Sequence, residues 1–323
     1  MIPAMRVAVL ALNDVFDLGL AAVLDAFQTA NELNAATGLG APPFDVRAIG
    51  MRRSVRTAQG LRVPVRAAGR WEPDCVVVPA IGFKMPDPLE AALARPEIAD
   101  ASGQLRRWAA RGATVSAACI GTFVLAEAGL LDGERATTTW WLAPLFRRRY
   151  PRVALDESNM IVPSGRAVTA GAALSHMDLA LWLIRRASPQ LAALTARYLI
   201  VDARPSQSAY ALTDHLQHAD PVVQRFDVWA RAHLADRFSL DAAARAAGAS
   251  KRTLARRLAA AIGQSPLEYV QRVRIERAVH LLRTTDAGVD DIASRVGYAD
   301  GATLRLLLRR RLGAGVRELR RTA

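Results

Sequence analysis

The sequence predicts two domains of different class, an α/β domain built on a parallel sheet and an all-α domain with two helix-turn-helix motifs. Three observations carry the prediction. The chain has 323 residues, more than one ordinary core needs. Over roughly the first 190 residues, short apolar runs alternate with helical periodicity, the pattern of a parallel sheet covered on both faces. Residues 226–323 instead hold two pairs of short helices, each pair joined across a glycine. The implied organisation is an α/β domain over 1–190, a connector over 191–225 and a helical domain over 226–323.

The elements follow in order. Arg6-Val-Ala-Val-Leu-Ala-Leu12, stopped by Asn13-Asp14, reads as a strand buried on both faces, and residues 18–33 as a helix. Residues 44–49 and Cys75-Val-Val-Val-Pro79 are further strands, the second ended by Pro79 and Gly82. One helix is expected over 88–111, a strand over 113–118 and another helix over 123–130. After Arg186 the pattern stays helical to about Leu199, breaks at 202–208, and resumes over 222–234.

The junction Ala118-Cys119-Ile120-Gly121-Thr122 carries the chemistry of the first domain. A buried strand runs straight into a helix with a cysteine at the turn, which aims the side chain at the carboxyl end of the sheet, where open α/β folds bind ligands. The helix terminus beneath would stabilise a thiolate or bind a carboxylate. Cys75, inside an all-apolar strand, reads as buried and inert.

Residues 119–140, CIGTFVLAEAGLLDGERATTTW, resemble the nucleophile-elbow region of the PfpI-like, class I glutamine amidotransferase-like superfamily, in the version fused to regulators of the GlxA type. Val168-Thr-Ala-Gly171 and Asp178-Leu-Ala-Leu181 are similar to the later turn and helix of that domain, and the resemblance spans about residues 5–190. It implies a flavodoxin-like, PfpI-like sandwich. Enzymes of this fold pair the cysteine with a histidine and often an acid from the loop after the first strand. Here Thr139 stands at the motif histidine, and the one histidine before residue 215, His176, lies elsewhere. Asp17 can supply the acid, but threonine is no base near neutral pH. The expected site is therefore a ligand pocket, formed by Asp17, Gly82, Cys119, Ile120, Gly121 and Thr139, with no catalytic residue and no cofactor.

The helical domain holds most of the charge. The 43 Lys+Arg and 30 Asp+Glu give a net +13, and residues 226–323 carry 19 and 10, a net of +9. Such a basic module calls for a polyanionic partner. Two cysteines exclude a disulfide framework or a Cys-rich zinc module, and no apolar run approaches the ~20 residues of a membrane span. The start does not read as a signal peptide, so a soluble, cytoplasmic protein with no membrane partner is expected. His215 and His218 share a helix face, but without a third ligand they read as polar surface rather than metal.

Ser239 caps a helix with Leu240, Ala243, Ala244 and Ala247 on its apolar face, and Gly248 ends it. Ser250 opens a second helix exposing Lys251, Arg252, Arg256 and Arg257, with Leu254 and Leu258 turned to the core. After a long helix from Ser265-Pro266 to about Arg283 the unit recurs, with a capped helix over 289–298 and a second candidate recognition helix over 300–311. Two motifs about 50 residues apart predict two major-groove contacts one DNA turn, ~34 Å, apart.

Residues 226–321 resemble the AraC/XylS DNA-binding domain. The landmarks are Ser250, Leu254, Arg256 and Arg257; Gly263-Gln-Ser-Pro266; Tyr269, Arg274, Arg277, Ala278, Leu281 and Leu282; Ile292, Ala293 and Val296-Gly-Tyr298; and Gly313 and Arg320. The resemblance places Arg252, Ala255 and Arg256 on the base-facing side of the first recognition helix. Gly301, Ala302 and Thr303 start the second, Leu306 stands where the family often has a polar contact, and Leu308 and Leu312 replace aromatics. Candidate DNA contacts are thus Ser250, Lys251, Arg252, Thr253, Ala255, Arg256, Arg257, Thr303, Arg305, Arg309 and Arg310, with base reading in the first helix and phosphate holding in the second. The resemblances imply a transcriptional regulator, activator rather than repressor. Its partners would be double-stranded promoter DNA, RNA polymerase, a second copy through the N-terminal domain, and a small effector such as an amino acid or betaine. The rival is a cysteine-dependent amidase or hydrolase with a fused DNA-binding domain.

Overall fold

The computed structural model describes residues 3–69, 71–157, 159–202, 220–262, 264–312 and 315–321. The break over 202–208, the His215/His218 pair and the landmarks Gly263 and Gly313 lie wholly or almost wholly outside these described residues. Residues 3–202 and 220–321 belong to two compact units.

The first unit is a seven-stranded sheet between two helical layers. Its strands are β1 (Met5–Leu10), β2 (Phe44–Gly50), β5 (Arg66–Ala67), β6 (Cys75–Val78), β7 (Thr114–Ala118), β10 (Ile161–Ser164) and β11 (Ala167–Ala170), in the order β10-β11-β7-β6-β1-β2-β5. Every neighbouring pair is parallel except β10 with β11. Alternate side chains feed two cores. Ala8, Leu10, Val76, Val78 and Val115 face α2 (Pro86–Leu93), α3 (Pro96–Ala110), α4 (Gly121–Glu127) and α5 (Ala143–Arg149). Val7, Val9, Cys75 and Val77 face α1 (Asp17–Thr37), α6 (Ser175–Ala187) and α7 (Pro189–Tyr198). Because both faces are covered, the strands are unbroken apolar runs, which is why β1 and β6 are legible in the sequence.

The single helix expected over 88–111 is two. Arg95 sits in extended backbone (φ −69°, ψ 145°) because the following Pro96 disfavours the helical region, and Pro96 then opens α3. Two small sheets, β3 (Ser54–Arg56) with β4 (Arg62–Pro64) and β8 (Arg135–Ala136) with β9 (Ala154–Leu155), have no sequence signal strong enough to predict them.

The second unit is all helix: α8 (Pro221–Ala232), α9 (Leu240–Ala246), α10 (Lys251–Ile262), α11 (Pro266–Thr284), α12 (Val289–Arg295), α13 (Gly301–Leu312) and α14 (Val316–Arg321). It has two cores that share α11. Tyr269, Val270 and Val273 pack with α8–α10, whereas Ile275, Ala278 and Leu282 pack with α12–α14. α8 starts at Pro221, capped by Asp220, so position 226 lies within a helix whose Val222, Val223 and Phe226 belong to this core. Among the described residues no helix is long and apolar enough to cross a membrane.

Candidate functional site

In chain order the five long parallel strands run 2-1-3-4-5, so successive connections leave β1 and β6 on opposite sides. Their carboxyl ends are thus the topological switch point, the place where doubly wound sheets hold ligands. The loops that border it are laced together. Phe16 N–H donates to the Ala80 carbonyl and Gly82 N–H to the Asp14 carbonyl, each at 2.7 Å. Asp14, at φ 61°, pairs its carboxylate with Arg95 at 2.6 Å. Asn13 donates its side-chain amide to Glu97 and accepts from Arg56 N–H at 3.0 Å.

The strand-to-helix elbow lies beside this loop pair. Cys119 adopts φ 56°, its N–H donates to the Ala170 carbonyl at 2.7 Å, and its carbonyl accepts from the Thr138 hydroxyl at 2.7 Å. Gly121 lets α4 start against the end of β6, since a Cβ there would stand 2.2 Å from the Val78 carbonyl oxygen and 2.8 Å from that of Pro79. The Cys119 side chain is not aimed into open solvent. It is 3% exposed within the α2–α5 core, and burial pushes its thiol up to about 12 against the weaker pull of the Ile120 N–H, the Thr139 hydroxyl and Lys84. Burial therefore outweighs the helix terminus that was expected to favour a thiolate. Thr139 is fully buried beside the sulfur, and its Oγ1 has no partner of regular hydrogen-bond geometry. Cys75 is buried too, and its thiol is likewise pushed up to about 12. Neither thiol should react with a disulfide reagent at pH 8 in the native chain, and both should react in denaturant. Rapid labelling of native Cys119 would contradict this geometry.

Among the described residues no base is hydrogen-bonded to the Cys119 thiol. Among the described residues no hydrogen bond or ion pair joins it to Asp17, whose Oδ2 accepts from Gln59 N–H at 3.1 Å while Oδ1 is buried without a partner. His176 is fully buried, and both ring nitrogens are engaged. Nδ1–H donates to the Ala173 carbonyl at 2.7 Å, and Nε2 accepts from Ala80 N–H at 3.0 Å, which fixes the tautomer. The ring packs against Gly19 and ties α6 to the β6 loop. Burial lowers its pKa from 6.5 to about 4, so between those values the unfolded chain binds a proton that the folded chain refuses. Stability is then lost as pH falls from 6.5 towards 4, by about 3 kcal/mol over the window. Chemical denaturation across this range should show the slope, and His176→Gln should flatten it.

The helical unit presents two similar faces. In the first motif Ser250 Oγ accepts from Thr253 N–H at 3.1 Å and lies 2.9 Å from the Thr253 hydroxyl, so both side chains serve the cap of α10. Leu254 and Leu258 are fully buried, which turns Arg252 and Arg256 outward, exposed and with no ion pair among the described residues, with Ala255 half-buried between them. Lys251 pairs with Asp241 at 2.6 Å. Arg257 differs from its neighbours. It is half-buried and bound to both oxygens of Asp220, at 3.1 and 3.2 Å, so it holds α8 onto α10. That pairing spans 37 residues and has no signal in the sequence. In the second motif Asp300 caps α13 by accepting from Thr303 N–H at 2.6 Å, and Arg305, Arg309 and Arg310 are exposed, with no ion-pair contact among the described residues.

An α/β sandwich with a buried cysteine elbow, joined to a duplicated helix-turn-helix unit, defines a two-part class. Residues 5–186 match the DJ-1/PfpI family and residues 243–322 match a helix-turn-helix domain. The chain belongs to the DJ-1/PfpI family and carries an AraC-family helix-turn-helix domain behind it. It is similar to the HTH-type transcriptional regulator GbdR of Pseudomonas aeruginosa, 26% identical over 253 residues, 76% of this chain and 66% of that one. With CdhR of the same species, also an HTH-type transcriptional regulator, it is 29% identical over 213 residues, 60% of this chain and 59% of that one. The chain thus spans somewhat less than two thirds of these relatives. The fold is shared with an AraC family transcriptional regulator from Pseudomonas putida at a TM-score of 0.50 and 22% identity, over 60% of this chain and 99% of that one.

Proposed function

We propose that the protein is a transcriptional regulator whose helical domain binds promoter DNA and whose α/β domain senses a small molecule without catalysing its turnover. The observation that carries the reading is the pair of capped helices, α10 and α13, each presenting exposed arginines opposite a row of buried leucines. Arg252 and Arg256 in the first are spaced to read base edges, and Arg305, Arg309 and Arg310 in the second to hold phosphates. Lys251, Ser250 and Thr253 border the first contact, whereas Arg257 supports it from within. The domain division extends the α/β domain from 1–190 through α7, whose Leu191 and Ala192 lie in its core, and the helical domain from 226–323 back to the cap at Asp220.

For the α/β domain, the thiol pushed up to about 12 and the doubly engaged His176 favour sensing over amide hydrolysis. The unpartnered Asp17 oxygen favours an effector bearing an ammonium or N–H group, such as an amino acid, with Gly82, Cys119, Ile120, Gly121 and Thr139 shaping the site. Activation, contact with RNA polymerase, dimerisation through this domain and action in the cytoplasm complete the proposal. Full-length protein titrated with duplex promoter fragments should bind with an affinity that falls steeply with salt. A salt-independent signal would exclude the arginine faces. An amino-acid and betaine panel should raise the melting temperature for at least one compound. Turnover abolished by Cys119→Ser would favour the amidase reading instead.

A further inference from the structure

The second recognition helix carries apolar groups where hydrogen-bonding side chains would be expected. Leu304, Leu308 and Leu312 of α13 are buried, which fixes the helix rotation. At ~100° per residue, Leu306 then lies near the centre of the outer face. It is 68% exposed, with exposed Ala302 one turn before it and Arg309 and Arg310 one turn after. Thr303 shares that face, but its N–H and hydroxyl are engaged by the Asp300 cap. A lone exposed leucine needs no explanation. Here it sits with the exposed Ala302 methyl in the amino-terminal half of the helix, the part that meets base edges, and arginines surround them. The flanking charge selects a polyanion, and the major-groove floor offers one apolar base group, the C5 methyl of thymine.

We infer that α13 reads sequence by apolar contact, with Leu306 and Ala302 selecting thymine methyls while Arg305, Arg309 and Arg310 grip the backbone. The inference rests on the DNA-binding reading and deepens it. α10 recognises bases by charged hydrogen bonds, and α13 recognises them by shape and methyl burial. The second half-site is therefore thymine-rich, and specificity there is insensitive to salt although affinity is not.

The test uses the full chain and a duplex selected from a random library. Each thymine is replaced singly by deoxyuridine, which deletes the methyl and keeps the Watson–Crick edge. Wild type should lose about fourfold for each contacted methyl in one half-site. Leu306→Ala, at an exposed position that leaves the fold intact, should erase the difference at one or more of those thymines, and Leu306→Met should retain it. Equal binding of thymine and uracil duplexes by wild type, or a thymine preference unchanged at every position by Leu306→Ala, would overturn the inference while leaving DNA binding standing. Failure to bind any duplex would overturn both. A Leu306→Ala variant that lost only binding to a protein partner would assign the leucine to that contact and overturn it as well.

Discussion

Gly297→Ala should destabilise the helical domain by about 2–4 kcal/mol, among the largest effects of any single methyl in this chain. Gly297 is at the turn between α12 and α13, at φ 79°, where an L side chain is strained. A Cβ there would also stand 2.2 Å from the Leu234 carbonyl oxygen and 2.7 Å from Arg274 Nη2. Neither neighbour can yield freely. Arg274 is 8% exposed and donates to the carbonyls of Gly297, at 3.0 Å, and Asp236, at 2.5 Å, so it fastens the second motif to the loop after α8. The methyl would break the joint that sets the spacing of the two recognition helices. Gly248 is the internal control. It occupies the same turn in the first motif at φ 64°, yet its nearest neighbour is the flexible Arg225 guanidinium at 3.3 Å. Gly248→Ala should therefore cost only the backbone term, about 1 kcal/mol. Urea unfolding followed by circular dichroism separates the two, and equal costs would show that the Leu234 contact carries nothing.

Arg256→Ala should weaken the preferred sequence by about 10- to 100-fold and relax base preference in one half-site. Arg252→Ala should act in the same half-site, because both side chains are exposed on one face of α10. Arg309→Ala should weaken all sequences alike and lower the slope of log affinity against log salt by about 1. Arg257→Ala belongs to another class. Its guanidinium holds Asp220, so the variant should lower the stability of the α8–α10 core before it touches specificity. Competition binding against single-base variants distinguishes these outcomes. A change in base preference on Arg309→Ala would show that the two arginine faces have been assigned the wrong way round.

Much of this is legible before any fold is seen, for identifiable reasons. β6 is an uninterrupted apolar run because helices cover both of its faces, and α9–α10 announces itself through Ser239, Gly248 and Ser250, local signals for local structure. The elbow is legible as a place, since a cysteine followed by glycine at a strand end has few other readings. The fate of its sulfur is not, because burial depends on Thr138 and Thr139, which fold over it from a segment 19 or 20 residues away. Arg257 looks like a third groove-facing arginine until Asp220 reaches it. Leu306 shows the opposite case, in which the helical register alone turns the side chain outward and only the company it keeps gives it a use. The break at Arg95 lies in plain sight at Pro96, and at ~100° per residue the buried Leu89 and Leu93 of α2 and the buried Ile98 and Leu105 of α3 would fall on different faces of one continuous helix.

The central claim is that two rigidly joined helix-turn-helix units face one side of a DNA duplex. Dimethyl sulfate and hydroxyl-radical footprinting of the full chain on a selected site tests it most directly. Two protected major-groove segments with centres about 10 base pairs apart, on the same face, are the predicted result. Protection confined to a single segment, or spread evenly along the duplex, would contradict it.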